Sequence, residues 1–212
     1  MRPKEAVYLT AKLIKRSQAE PSPEFKALRD HIESEWGAFL LNGDVFEKKH
    51  SRNPMRLRLV FDTVQDIELM PKLWDQRMEL ISVPFKSMIA NLQLKHYDLY
   101  DLSHLEVDYH DFADVAFQEV VDGIDTGQIL RTIGTGKISS IQKFWNYLTV
   151  FYQENEDVER YQASGLTDAI NQQVQAQGRI LDEFGVLYNR EIQVRFDSKA
   201  NFDRAGGYNY YR

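Results

Sequence analysis

The sequence predicts an α+β fold dominated by helix: one domain around a small antiparallel sheet, with an extended C-terminal tail. Three observations predict it. Apolar residues recur at helical spacing in several segments and alternate at strand spacing in fewer. No stretch rich in Pro, Gly or Ser divides them. The 212 residues are 43% hydrophobic and 27% charged, an ordinary globular balance that can bury a core without staples. The expected division is residues 1–197 as the domain, 139–197 as a semi-independent arm within it, and 198–212 as an interaction tail.

Residues 5–16 fit two templates. Val7, Leu9, Ala11 and Leu13 alternate as in a strand, while Val7, Ala11 and Ile14 share a helix face. Residues 23–41 read as a helix capped by Ser22, with Pro23 at its first position. Phe25, Leu28, Ile32, Trp36 and Phe39 form its stripe, and Asn42-Gly43 ends it. Asn53-Pro54 breaks the chain before a strand at 55–62. That strand sets Leu57, Leu59 and Phe61 on one face and Arg56, Arg58 and Val60 on the other. Residues 71–93 are helical by composition, with Pro84 splitting or kinking them.

Residues 103–110 alternate again, with Leu105, Val107 and Tyr109 opposite Glu106, Asp108 and His110. A short helix at 111–122 is closed by Gly123. Residues 139–154 read as the strongest helix, because Ile141, Phe144, Trp145, Leu148, Phe151 and Tyr152 follow helical spacing. A glutamine-rich helix at 167–184 carries the seam Ile170, Val174, Gln177, Leu181 and Phe184, and Gly185 can end it. Glu191 to Phe196 alternates as a strand. No repeat with a period of 20–50 residues is visible.

Composition excludes several classes. Without cysteine there is no disulfide framework, thiol nucleophile or zinc-thiolate site. Residues 1–5 open no secretory signal, and no apolar run approaches the roughly 20 residues of a membrane span. The expected location is therefore the cytoplasm or a virion. An aromatic fraction of 12% argues against long disorder.

Charge is unevenly spread. Between His96 and Leu130 there are nine acids and no Lys or Arg, although the whole chain carries only −6. Lys48, Lys49, Arg52, Arg56 and Arg58 form the opposite cluster, which can hold phosphates or an acidic neighbour. An overall pI of about 5.4 argues against nucleic acid as the main partner.

The candidate metal site is His104, Glu106, Asp108 and His110. On a strand these four share a face at roughly 6.5–7 Å intervals, so two of them can reach one divalent ion. A divalent metal is thus the one cofactor the sequence suggests. No metal motif matches, and a solvated acidic face is the plainer reading. Gly134-Thr135-Gly136-Lys137 resembles a phosphate loop but lacks the first glycine and the Ser or Thr after the lysine, and reads as a capped turn.

The remaining candidate partner-binding residues are Gln177, on the apolar seam, and Tyr208, Tyr210, Tyr211 and Arg212, of types enriched at interfaces. With no catalytic signature, the expected function is a non-enzymatic assembly subunit, such as a phage virion or tail component. Its partners would be other protein subunits or copies of itself, and no membrane. The alternative is a metal-dependent hydrolase or nuclease working through the face at 104–110. A nucleic-acid accessory protein using the basic cluster is a third reading.

Overall fold

The computed structural model describes residues 1–134, 136 and 138–207. They form two compact units, Met1–Val115 and Ala116–Arg212, each with a three-stranded mixed sheet and its own apolar core. The fold is α+β, as predicted, but the expected single antiparallel sheet is replaced by two sheets that are each part parallel.

In the first unit the ambiguity at 5–16 resolves as helix α1 (Ala6–Lys15), burying Val7, Tyr8 and Ala11. Helix α2 (Pro23–Trp36) starts at Pro23 after Ser22, whose hydroxyl closes no capping bond. It ends five residues before the predicted stop. Gly37 adopts the left-handed conformation (φ 69°), and its N–H is accepted by the Glu33 carbonyl. Phe39 therefore leaves the stripe and is part-exposed. Residues assigned above to the end of that helix instead open strand β1 (Leu40–Glu47). Gly43 is no helix stop: it lies under the Phe25 ring and 2.8 Å from the Arg58 carbonyl, measured from where a Cβ would stand.

Strand β2 (Met55–Phe61) runs antiparallel to β1, and β3 (Glu106–Asp111) runs parallel to β2. Between them lie α3 (Val64–Leu69), α4 (Trp74–Arg77), a π-helical turn (Met78–Ser82), α5 (Val83–Asn91) and a 3₁₀ turn (Lys95–Leu99). The π turn sits immediately before Pro84, where the missing N–H and the ring would otherwise collide with a regular helix. Leu57, Leu59 and Phe61 pack with Phe25, Leu28, Ile32, Phe85 and Val107 to form the core.

Helix α6 (Phe112–Gly123) follows β3 directly, and the division between units falls inside it. The second unit continues with α7 (Thr126–Ile133), strands β4 (Ser140–Phe144) and β5 (Tyr147–Tyr152), helices α8 (Asn155–Ala163) and α9 (Leu166–Leu181), strand β6 (Gln193–Ser198) and α10 (Lys199–Arg204). The predicted helix at 139–154 is thus a hairpin turning at Trp145-Asn146. The segment is rich in aromatic and β-branched residues, which favour strands. It mimics helical spacing because β5 is buried on both faces, so apolar residues fall at every interval. The predicted extended tail is corrected over 199–204, which is helical, with Phe202 packed on Phe151 at 5.1 Å. Tyr208 to Arg212 lie outside the described residues.

The two units share one plan: an antiparallel hairpin whose second strand is paired in parallel by a strand arriving after helices. Leu57, Leu59 and Phe61 of β2 correspond to Leu148, Val150 and Tyr152 of β5, each 91 positions later. Phe61 stands opposite Asp111, and Tyr152 opposite Ser198. Both of those last strand residues accept a backbone N–H of the helix that follows, at 2.8 Å. The helix after each second strand opens with a capping box, Thr63 with Asp66 and Glu154 with Asp157. Across 56–68 and 147–159 only Leu57/Leu148, Asp66/Asp157 and Glu68/Glu159 are identical.

Candidate functional site

The predicted metal face and part of the predicted basic cluster meet in the first sheet. Strand pairing sets Arg56 opposite Glu106, Arg58 opposite Asp108 and Val60 opposite His110, all on the face away from the core. From β1, Asp44 stands opposite Arg58 and Phe46 opposite Arg56. Arg56 of the basic run thus meets Glu106 and Asp108 of the acidic run, some fifty residues later in the chain.

Arg58 is 7% exposed. Its Nε and Nη2 donate to the two Asp44 carboxylate oxygens at 2.8 Å each, and its Nη1 donates to Glu5. The guanidinium lies 4.5 Å from the centre of the Phe46 ring. Burial alone would lower the Arg58 pKa, but the hydrogen bonds and charges of Asp44 and Glu5 outweigh it and raise it. Burial likewise favours the neutral form of Glu5, yet the Arg58 hydrogen bond and charge hold it below the ordinary carboxylate value.

Arg56 donates to Glu106 and to Ser51 (3.2 Å), and lies 3.8 Å from Asp108. Asn53 also donates to Glu106, at 3.0 Å. The Arg56 Nε is buried without a hydrogen-bond partner. His110 Nδ1 lies 3.2 Å from the Met1 amine. Burial, then the Met1 and Arg58 charges, lower the His110 pKa to about 4. The ring is therefore neutral over the physiological range.

His104 falls in an exposed turn before β3 and not on the strand. The four predicted ligands are thus three on a strand, each facing a cation or the chain's own amine, and one outside it. Among the described residues no three His, Asp or Glu side chains converge in a way that would hold a metal ion.

The basic cluster divides by role. Arg58, buried, and Arg56, part-buried, are held in ion pairs, while Lys48, Lys49 and Arg52 stand exposed on the β1–β2 loop. In the second unit that loop shrinks to two residues. Gln177 is engaged within its own unit: its Oε1 accepts the Asp125 N–H at 2.7 Å, beside the start of α7. Ile170 and Val174 of the predicted seam are buried, whereas Leu181 is part-exposed. Thr135 and Lys137 of the predicted turn lie outside the described residues; α7 ends before it at Ile133, and Ser140 after it begins strand β4, where a phosphate loop would open a helix.

Sequence reasoning missed a buried polar pair. Tyr97 donates to Glu24 at 2.8 Å, with His96 Nε2 4.0 Å from the same carboxylate oxygen. Burial, then the Glu24 hydrogen bond, raise the Tyr97 pKa far above its ordinary value. Glu24 lies in the first turn of α2, where an acid ordinarily serves the helix N-terminus from solvent, so nothing local marks it as buried.

The exposed apolar residues form a second notable feature. Leu69, Leu73, Trp74, Leu80 and Val83 all project into solvent between the end of α3 and the start of α5. In the second unit Trp145, Ile180 and Tyr188 are more than four-fifths exposed. Among the described residues no helix is long and apolar enough to cross a membrane.

Compared with protein-family models, curated proteins and solved structures, the chain matches none.

Proposed function

We propose that this chain is a non-enzymatic assembly subunit, joined to other protein subunits or to copies of itself. The observation that carries the reading is the exposed apolar set Leu69, Leu73, Trp74, Leu80 and Val83. Single exposed apolar residues are normal on soluble proteins, but several within fifteen positions, one of them tryptophan, fit a covered surface. Tyr208, Tyr210, Tyr211 and Arg212 supply further interface residue types. Lys48, Lys49 and Arg52 supply an exposed basic loop for an acidic neighbour.

The narrowest form of the reading is a phage virion or tail component. It rests on the absence of a catalytic signature together with these interface types. The pairing of Glu106 and Asp108 with Arg56 weighs against the hydrolase alternative, because a metal would have to displace a part-buried, paired guanidinium.

The test is mass by light scattering on size-exclusion, for the whole chain, a Leu73→Ser/Trp74→Ser/Leu80→Ser variant, and a chain ending at Gly207. Ending at Gly207 keeps α10 and its Phe202–Phe151 contact. A multiple of 24.8 kDa that falls to one chain in either variant supports self-assembly and locates the interface. If the whole chain runs as a monomer at every soluble concentration and shifts with no protein partner, the assembly reading fails.

A further inference from the structure

The two units treat the outer edge of their last strand differently. In the first, two side chains take up carbonyls along the start of β3. Ser82 donates to the Leu105 carbonyl at 3.0 Å, and Arg77 donates to the Val107 carbonyl at 3.3 Å. Arg77 also stacks on the Tyr109 ring at 4.2 Å and donates to the Pro71 carbonyl, which Tyr109 reaches as well. An open strand edge is a template for another chain, and here the Leu105 and Val107 carbonyls are already taken.

In the second unit Leu105 corresponds to Ile192 and Val107 to Val194, by the shared register. Gln175 of α9 closes the edge at Ile192, donating to its carbonyl at 2.7 Å and accepting its N–H at 3.2 Å. Backbone groups alternate sides along a strand, so those of Val194 and Phe196 point outward as those of Ile192 do. Among the described residues, nothing hydrogen-bonds them. A groove of about 470 Å³ runs along this stretch, walled by Val158 and Gln162 of α8, Thr167, Asp168 and Asn171 of α9, and β6 itself. Its charged lining is Asp168 and Glu191, with no base. Arg179 and Arg190 line an adjoining hollow, which Glu191 and Gln193 border as well.

We propose that this groove accepts an extended, basic peptide segment of another protein as a fourth strand beside β6. The Val194 and Phe196 backbone supplies the hydrogen bonds, the apolar side chains of the segment lie toward Val158, and its Lys or Arg side chains face Asp168 and Glu191. Gln175 sets the limit of pairing at Ile192. A groove of this kind serves a foreign chain whether or not the protein self-associates.

The probe is a synthetic peptide of about six alternating lysines and valines, enough to span 192–196 at strand rise. Its counterpart with glutamate for lysine is the control. Binding is followed on the full chain by amide NMR. The expected result is shifts centred on the Val194 and Phe196 amides, with the glutamate peptide at least tenfold weaker. Val194→Pro removes an outward N–H and leaves the β5 pairing intact, so it lowers affinity at least tenfold. Asp168→Lys, on an exposed helix position, is a second variant that does not touch the strand and weakens binding severalfold. Circular dichroism confirms that both variants fold. Absence of binding, equal binding by both peptides, or shifts scattered over the acidic surface and unchanged in both variants overturns the proposal. So does a doubled mass that Val194→Pro reduces to one chain, which would assign the edge to a second copy.

Discussion

Residues 58 and 149 occupy the same place in the two units, the middle of the central strand on the face away from the core. In the first unit that place holds a buried arginine tied to Asp44 and Glu5; in the second it holds Thr149, 1% exposed with its hydroxyl unpaired. The strand and helix plan is the same. One strand plan thus accommodates an arginine held in ion pairs or a buried threonine between Gln142 and Arg195. Each unit's stability then rests on different interactions, and substitutions at paired positions separate them.

The largest difference is expected at glycine. A Cβ at Gly43 meets the Phe25 ring and the Arg58 carbonyl at 2.8 Å, and the backbone cannot give way. Gly43→Ala should cost about 3 kcal/mol or more of first-unit stability, read by urea unfolding with hydrogen exchange resolved by unit. Gly178→Ala in the second unit meets only the ends of Ile192 and Leu187 (2.6 and 3.1 Å), which can rotate, and the helix gains a better former. Its expected net effect is within about 1 kcal/mol.

Next come the paired positions themselves. Arg58→Met should destabilise by about 2–3 kcal/mol, less than for a fully buried pair because Asp44 and Glu5 are each about a third exposed. Thr149→Val should be neutral or stabilising by about 1 kcal/mol, since it removes a buried hydroxyl without a partner. A loss of similar size in both would show that Thr149 has a partner, and would end the contrast.

The pH response should divide the same way. His110, held near 4, lies below its ordinary value of 6.5, so the unfolded chain binds the proton first. Stability should fall as pH drops from about 6.5 toward 4, with a slope of up to about 1.4 kcal/mol per pH unit. Glu5 acts in a lower window: its depressed pKa contributes stability above the ordinary carboxylate value and loses it as pH falls through the folded one. His110→Gln should flatten the upper window only. The corresponding residue of the second unit is Asp197, opposite Phe151, so its exchange rates should not follow that window.

The smallest effect concerns the hairpins. Trp145 turns β4 into β5 at φ 24°, a conformation costly for a bulky side chain, with the ring 82% exposed. Replacing Trp145-Asn146 by Asn-Gly should add about 0.5–1 kcal/mol to the second unit by thermal unfolding. No change would mean that the turn carries little strain.

Much of the first unit was legible in the sequence: β2 and β3, the start of α2, and the division of Arg56 and Arg58 from Leu57, Leu59 and Phe61. One face of these elements carries polar side chains, even where these are buried in ion pairs as at Arg58, so the alternation of residue types records their geometry. The β4–β5 hairpin was not legible, because both buried faces of β5 carry apolar and aromatic residues, so its run lacks a clear alternation and satisfies a helix equally well. The repeat was hidden for a related reason. The shared plan depends on which positions are buried, and leucine, valine and phenylalanine exchange there without leaving matching letters. The candidate site was visible only as two separate charge runs. That Arg56 and Arg58 lie on the strand next to Glu106 and Asp108 is decided by parallel pairing across some fifty residues, which no local pattern encodes. The sequence by itself determined the α+β class and the amphipathic elements, since those follow from spacing along the chain. Only the tertiary structure decided that Arg56 meets Glu106 and Asp108 in the first unit and that, among the described residues, the Val194 and Phe196 edge of the second has no hydrogen-bond partner, because both depend on which distant segments are brought side by side.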